Sequence, residues 1–287
     1  MISSSELIIN ADGSIFHLHV RPEQLADKIV MCGDPGRVDM IASFFDSVEC
    51  NITSREFHTV TGTYKGKRIT AISHGIGPDN IDIIVNELDA LKNIDFETRE
   101  VKSQHTTLEM VRIGTCGGLQ PYVPVGTSVV SGISIGFDGV LNWYADRDKI
   151  SDHAFEQAMT SYIGYPRHAA DPYVVYADEE LAARICGDDM AMGVTISAVG
   201  FYGPQGREVR LPVAAPLLNS RVESFEHEGH KITNYEMESA PLAGLCRLLG
   251  HKAVTVCSVI ANRVALNSNP NYKDAMKDLV EKVLDRI

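Results

Sequence analysis

Asn234 to Ala240 reads Asn-Tyr-Glu-Met-Glu-Ser-Ala and runs straight into the apolar segment Pro241 to Leu249. Two carboxylates therefore stand at the mouth of a helix whose composition sends it to the core. Ionised carboxylates are rarely buried without partners, because desolvation disfavours the charge. The residues leave two readings open. Glu236 and Glu238 complement the positive N-terminal end of a helix, or they hold a ligand. A spacing of two turns both side chains to one side of an extended lead-in segment. There a carboxylate can accept hydrogen bonds from a pair of sugar hydroxyls.

Similar strand-to-helix junctions recur along the chain. Lys28 to Cys32 is a short apolar run of the kind that makes a buried strand, followed at once by Gly33-Asp-Pro-Gly-Arg37. A glycine-rich turn at that point lets backbone N–H groups approach an anion, and Arg37 adds charge. A plain turn reading fits the same residues. Met110 to Gly118 gives a second junction, with Arg112 inside the strand and Thr115 near its end. An arginine in a core strand requires a counter-charge, from protein or ligand. Met192 to Val199 reads as a central strand that delivers Gly200 to Arg207 to its C-terminal end, where open α/β sheets place ligands. Gln205 offers a donor and an acceptor and Arg207 a donor fork, together matching the edge of an imide-like base.

Between these junctions, Ile52 to Tyr64 reads as continuous strand material, and Thr63 to Ser73 as a hairpin turning at Lys65-Gly-Lys67. Ile81, Ile84, Val85, Leu88 and Leu91 follow the helical period over Pro78 to Lys92. Thr127 to Ile135 and His251 to Ile260 predict strands. Ala154 to Ile163, Asp178 to Cys186 and Tyr272 to Ile287 predict helices, Asp138 to Asp152 is a polar loop, and Ala261-Asn-Arg263 follows the last strand, succeeded by a flexible run through Asn271. The polar stretch 93–109 has no period and predicts a surface insertion. Residues 1–20 predict an N-terminal arm, extended over Asp12 to Arg21, in which Phe16 and His17 either pack locally or reach a pocket.

A chain of 287 residues fits one large α/β domain or two small ones, and the lack of a linker favours one. A formal net charge of −12 argues against a nucleic-acid backbone as partner, so any bound anion must be held by local arginines. No apolar run approaches the length of a membrane span, and the N-terminal residues lack the pattern of a secretory signal. Six scattered cysteines without a C-x-x-C pair read as reduced core thiols, which suits a cytoplasmic setting. Ten histidines show no ligand spacing, so no metal site is expected.

Five ordered motifs together resemble the nucleoside phosphorylase superfamily, over roughly Phe16 to Arg263. They are Gly-Asp-Pro-Gly-Arg-Val at Gly33 to Val38, Arg-Glu-Phe at Arg55 to Phe57, Arg-Ile-Gly-Thr at Arg112 to Thr115, Phe-Tyr-Gly-Pro-Gln-Gly-Arg at Phe201 to Arg207, and Tyr-Glu-Met-Glu-Ser at Tyr235 to Ser239. The resemblance implies a single domain over 1–287, a three-layer α/β/α sandwich with a central mixed β-sheet. It implies phosphate binding at Gly33, Arg37, Arg112 and Thr115, with Arg55 from a neighbouring subunit. It implies ribose binding at Met237 and Glu238, with His17 reaching across, and base binding at Gly117, Phe201, Gln205, Arg207 and Glu236. The Gln-x-Arg pair is similar to the uridine-cleaving branch, for which the implied reaction is reversible phosphorolysis of uridine to uracil and ribose 1-phosphate. Arg112, Gln205, Arg207 and Glu238 would carry the chemistry.

No cofactor is implied beyond phosphate as co-substrate, and a structural monovalent cation near Glu56 stays open. A homodimer or larger homo-oligomer with shared sites is implied; the 93–109 insertion, longer than in the bacterial hexameric enzymes, leaves the two open. The alternatives are a purine phosphorylase or nucleosidase of the same superfamily, and a non-catalytic nucleoside-binding protein.

Overall fold

Ile29 and Met31 face one side of their strand and Val30 and Cys32 the other, and all four are buried. A strand covered on both faces needs helices above and below it, which makes the run apolar rather than alternating. The computed structural model describes residues 1–262, 264, 267–268 and 272–287; Arg263 and most of the expected flexible run lie outside the described residues. In chain order the elements begin β1 (Lys28–Cys32), α1 (Pro35–Ala42), β2 (Ser47–Ser54), β3 (Phe57–Tyr64), β4 (Lys67–Ser73) and α2 (Pro78–Asn93). They continue β5 (Ile94–Asp95), β6 (Glu100–Val101), β7 (Glu109–Gly118), β8 (Ser128–Gly136), α3 (His153–Ile163), β9 (Tyr173–Tyr176), α4 (Glu179–Cys186) and β10 (Ala191–Ser197). The last are α5 (Leu218–Ser224), β11 (Glu226–His227), β12 (His230–Glu236), α6 (Ser239–Leu249), β13 (Lys252–Asn262), β14 (Asn267–Ser268) and α7 (Lys273–Arg286).

The main sheet is mixed and runs β11-β12-β10-β8-β13-β7-β1-β4-β3-β2. β12 pairs parallel with β10 and also antiparallel with the far end of β7, through Asn234↔Gly118 and Tyr235↔Gly117. That second pairing curls the sheet and brings the end of the Arg112 strand against the end of the Glu236 strand. Helices α2 and α6 cover one face, with Ile84, Leu88 and Leu245 in a common cluster with Ile29 and Met31. Helices α1, α4 and α7 cover the other, with Val38, Leu181 and Leu279 against Val30 and Val111. A third cluster seats α3 and α5 on β8, β10 and β12 through Phe155, Val222 and Ile196. Among the described residues no helix is long and apolar enough to cross a membrane.

Several expectations change in detail. The strand expected over Ile52 to Tyr64 breaks at Arg55–Glu56, where Arg55 takes a left-handed φ of 55° and the chain reverses into a β2–β3 hairpin. Side-chain pattern alone does not reveal that turn, because arginine is disfavoured there. The segment expected to be an extended arm is a folded loop. Ile15, Leu18 and Val20 are buried, Ile9 bridges Ile15, and Ile15 N–H donates to Val20 O at 2.9 Å. The polar loop 138–152 contains two 3-10 turns, and Leu141 from the first packs against Gly244 of α6, where a Cβ would meet Leu141 Cδ1 at 2.2 Å.

The 93–109 stretch forms the β5–β6 hairpin and then a tether. Arg99 donates to the carbonyls of Ile2 and Ser3 at 2.9 and 3.0 Å and also to that of Leu7. The insertion thus clasps the N-terminal residues to the domain. Arg99→Ala, which removes all three side-chain hydrogen bonds, is expected to speed amide exchange across residues 2–10 by roughly tenfold or more. The global urea midpoint should stay close to that of the parent. Unchanged exchange over that segment would show that the clasp holds nothing.

Candidate active site

Arg112 is the fourth residue of β7 and lies beside Met31 of β1 and Thr255 of β13. Its side chain is buried, and a bare guanidinium there would be untenable without counter-charge. The protein supplies two. Nη1 donates to Glu236 Oε2 at 2.8 Å, and Nη2 is ion-paired with Glu238 Oε2. The third direction is closed by His74, whose Nε2 accepts the Arg112 Nε–H at 3.1 Å. Gly114 makes room for this arrangement, since a Cβ there would stand 2.9 Å from Arg112 Nη1 and from Cys257 Sγ.

Glu236 ends β12 and its oxygens are fully occupied. Oε1 accepts from the hydroxyls of Ser197 (2.6 Å) and Ser239 (2.8 Å), and Oε2 from the backbone N–H of Glu238 (2.8 Å) as well as from Arg112. The Ser239 N–H reaches both oxygens at 3.0 Å. The carboxylate thus neutralises the start of α6, the first of the two readings its sequence position allowed, and also pins Arg112 in place. It lines the cavity described below, but with its oxygens so taken it has little left to offer a base. Glu238 is less committed, with Gly77 N–H on Oε1 at 2.8 Å and Arg112 on Oε2. Burial raises the Glu238 pKa, an effect opposed by the Arg112 guanidinium and reinforced by the Glu236 charge. For Arg112 the burial penalty is outweighed by the two carboxylates, and its pKa is held above the ordinary value.

These groups form one wall of a cavity of about 500 Å³. Gly33, Thr115 and Gly117 line it from the ends of β1 and β7, Arg37 from the first turn of α1, Met237 and Glu238 from the β12–α6 junction, and Phe201, Gln205 and Arg207 from the loop after β10. Arg37 Nη1 is anchored on Ile113 O at 3.1 Å. Gln205 is buried and its Oε1 accepts from Arg207 Nη1, which also donates to Phe201 O at 2.6 Å. The Arg207 guanidinium lies 3.8 Å from the Phe201 ring centroid, a stacked geometry that fixes its plane. One cavity therefore joins an arginine-rich corner, a carboxylate, and an amide–guanidinium edge.

Two residues expected at the site lie outside this cavity. His17 Nδ1 pairs with Glu87 at 2.5 Å, and Arg55 is exposed with its guanidinium 5.5 Å from the Phe16 ring. They share a surface cluster with Phe16 between them. Conversely, sequence reasoning assigned no role to His74, Ser197 or Ser239. Their only signal was position at the C-terminal end of a strand or the first turn of α6, where the register brings them to Arg112 and Glu236.

Asp89, His105 and His251 form a separate cluster, with one donor atom of each within 4.8 Å of the others. His251 Nδ1 accepts the Leu108 N–H at 3.1 Å, so the ring proton sits on Nε2 and is directed at Asp89 Oδ1, 3.1 Å away. The one in-plane lone pair of the His251 ring is thus taken by Leu108 N–H, and the cluster ties the insertion to α2 and β13. All six cysteines are free, and five are buried.

With this geometry in hand, similarity to known proteins gains meaning. A profile of the phosphorylase superfamily matches residues 27–286. The chain belongs to the phosphorylase superfamily. A uridine phosphorylase of Thermococcus kodakarensis is 30% identical over 267 residues, covering 91% of this chain and 82% of that protein. The crystal structure of a Trypanosoma brucei nucleoside phosphorylase, described as showing uridine phosphorylase activity, superposes with a TM-score of 0.89 at 30% identity, covering 98% of both chains. One of two uridine phosphorylases from Phytophthora capsici shares the fold with a TM-score of 0.67 at 23% identity, over 97% of this chain and 95% of that one. The superfamily assignment agrees with the mixed sheet and three-layer core found here.

Burial of His74, with the charges of Arg112 and Arg37 next, holds its imidazole well below the ordinary value of 6.5 and therefore neutral. Below about pH 6.5 the unfolded chain binds a proton here that the folded chain refuses, so this site costs stability as pH falls. The limiting slope is about 1.4 kcal/mol per pH unit for one proton. Asp138 acts in the opposite sense, because burial pushes its carboxyl up to about 6 and the folded state takes that proton first. Comparing His74→Gln with the parent isolates the histidine: between about pH 7.5 and 5.5 the parent urea midpoint is expected to fall more steeply. Parallel pH dependences would contradict a neutral buried His74.

Proposed function

We propose that this chain catalyses reversible phosphorolysis of uridine, giving uracil and ribose 1-phosphate, a pentosyl transfer in pyrimidine nucleoside breakdown or salvage. The observation that carries this reading is the placement of the Gln205–Arg207 edge in the same cavity as Arg37, Arg112 and Glu238. The similarity to uridine phosphorylases at 30% identity supports it.

In this reading inorganic phosphate occupies the corner made by Gly33, Arg37, Arg112 and Thr115, Glu238 with Met237 holds the ribose, and Gln205, Arg207, Phe201 and Gly117 hold the base. Phosphate oxygen bonds to the anomeric carbon as the bond to the pyrimidine nitrogen breaks, and the bonding pair leaves with the base. Cationic character develops on the sugar and negative charge on the pyrimidine. Arg207 meets that growing charge with fixed donors, and the cavity holds nucleophile and sugar in line. The leaving uracil anion then takes a proton from solvent. The reaction needs no covalent enzyme intermediate and no cofactor other than phosphate. Six free thiols fit a cytoplasmic setting.

Uridine absorbance followed with and without phosphate, beside inosine, tests the assignment. Phosphate-dependent loss of uridine is expected; turnover of inosine alone, or cleavage indifferent to phosphate, would reject it. Arg207→Ala should lower kcat/KM by about two powers of ten or more while the protein remains folded.

The proposal extends to assembly. Arg55 and His17 lie on the surface beyond their own cavity, which suits a homo-oligomer in which they complete a neighbour's phosphate and ribose subsites. Arg55→Ala and Arg112→Ala proteins should each be nearly inactive. Mixed under subunit exchange as a dimer, they should recover roughly a quarter of parental activity, because half of the pairs carry one intact site. Absence of recovery after proven exchange would show that each site is built from one chain.

A further inference from the structure

We infer that His74 is a positioning residue for phosphate: as a neutral acceptor on Arg112 Nε, it keeps the guanidinium aimed at the cavity after Glu238 has turned to the sugar. This rests on the phosphate corner proposed above and deepens it. Arg112 has three strong anchors, Glu236 on Nη1, Glu238 on Nη2 and His74 on Nε, and a weaker contact from Nη1 to Cys257 Sγ at 3.8 Å. Of the two carboxylates Glu238 has the fewer competing contacts, the backbone of Gly77 and Met237 besides Arg112, and so is the one able to serve ribose hydroxyls. When it does, two strong anchors remain, Glu236 and His74, beside the weak Cys257 contact on Nη1. Glu236 holds one end of the guanidinium, and a planar group held at one end can still swing. His74 fixes the Nε edge and with it the direction of the free Nη2–H.

The charge of this anchor matters as much as its reach. Arg112 already faces two carboxylates, and a third would turn the corner against an incoming phosphate anion. An imidazole accepts the Nε–H without adding negative charge. His74 is wholly buried one residue past β4, where its N–H donates to Cys32 O at 2.9 Å and keeps the segment in register with β1. Burial first, and then the charges of Arg112 from β7 and Arg37 from α1 that face it, keep its ring neutral. With Nε2 accepting from Arg112, the ring proton sits on Nδ1, where the Gly75 backbone offers only a weak contact.

The test compares His74→Gln, His74→Asn and His74→Leu in the intact protein, with phosphate binding measured by calorimetry and KM for phosphate and for uridine measured in turnover. A Gln side chain can place an oxygen where Nε2 stands; Asn is polar but too short, and Leu offers no acceptor. Phosphate affinity is expected to fall by about tenfold in the Asn and Leu proteins, with KM for phosphate rising in step and KM for uridine moving little. The Gln protein should recover to within about threefold of the parent. If Leu unfolds, the Gln–Asn pair decides alone. Equal phosphate affinity in the Gln and Asn proteins, or parallel losses for phosphate and uridine, would overturn the inference. A parent protein that binds phosphate but leaves uridine intact would refute the substrate reading while the calorimetric comparison still decides the role of His74. A parent that binds no phosphate would overturn both.

Discussion

A buried guanidinium governs the architecture of this protein's functional end. Arg112 sits inside a core strand, where an unpaired positive charge would cost several kcal/mol, and breaking such a buried pair from one side typically costs about 3–5 kcal/mol. Glu236, Glu238 and His74 come from two other parts of the chain to meet it. Their convergence requires β12 to reach the end of β7, and that antiparallel pairing is what curls the sheet. The ion network and the topology are therefore one constraint seen at two scales.

The same network divides labour between two carboxylates only two residues apart. Glu236 is saturated by two hydroxyls, two backbone N–H groups and one guanidinium, and so acts as a fixed part of the scaffold. Glu238 keeps capacity for a ligand. Their different surroundings, rather than their chemistry, separate them. The Arg207 plane is fixed in a comparable way by stacking on Phe201 and by bonds to Phe201 O and Gln205. Such a preset donor needs little reorganisation to meet a polar ligand edge.

Much of the fold was legible from local pattern. The apolar run at Lys28 to Cys32, the helical period of Pro78 to Lys92 and the strand-to-glycine junctions all correspond to elements that form. The misreadings share a cause. The break at Arg55–Glu56 depends on a left-handed arginine, and the loop around Ile15 and Leu18 depends on burial against distant residues. Neither leaves a periodic trace. Asn93 to Glu109 looked structureless because its order comes from Arg99 gripping carbonyls near the N-terminus, and carbonyls carry no sequence signature.

By itself the sequence determined the alternation of strands and helices, the identity of the charged residues at strand ends, and the demand that Arg112 find a counter-charge. These follow from burial and local geometry, which neighbouring residues encode. Only the tertiary structure decided which groups answer that demand, that Glu236 is spent while Glu238 is available, and that Arg55 and His17 stand apart from the cavity of their own chain. Those outcomes depend on strand order and register, which bring together residues more than a hundred positions apart, and no local pattern records such distances.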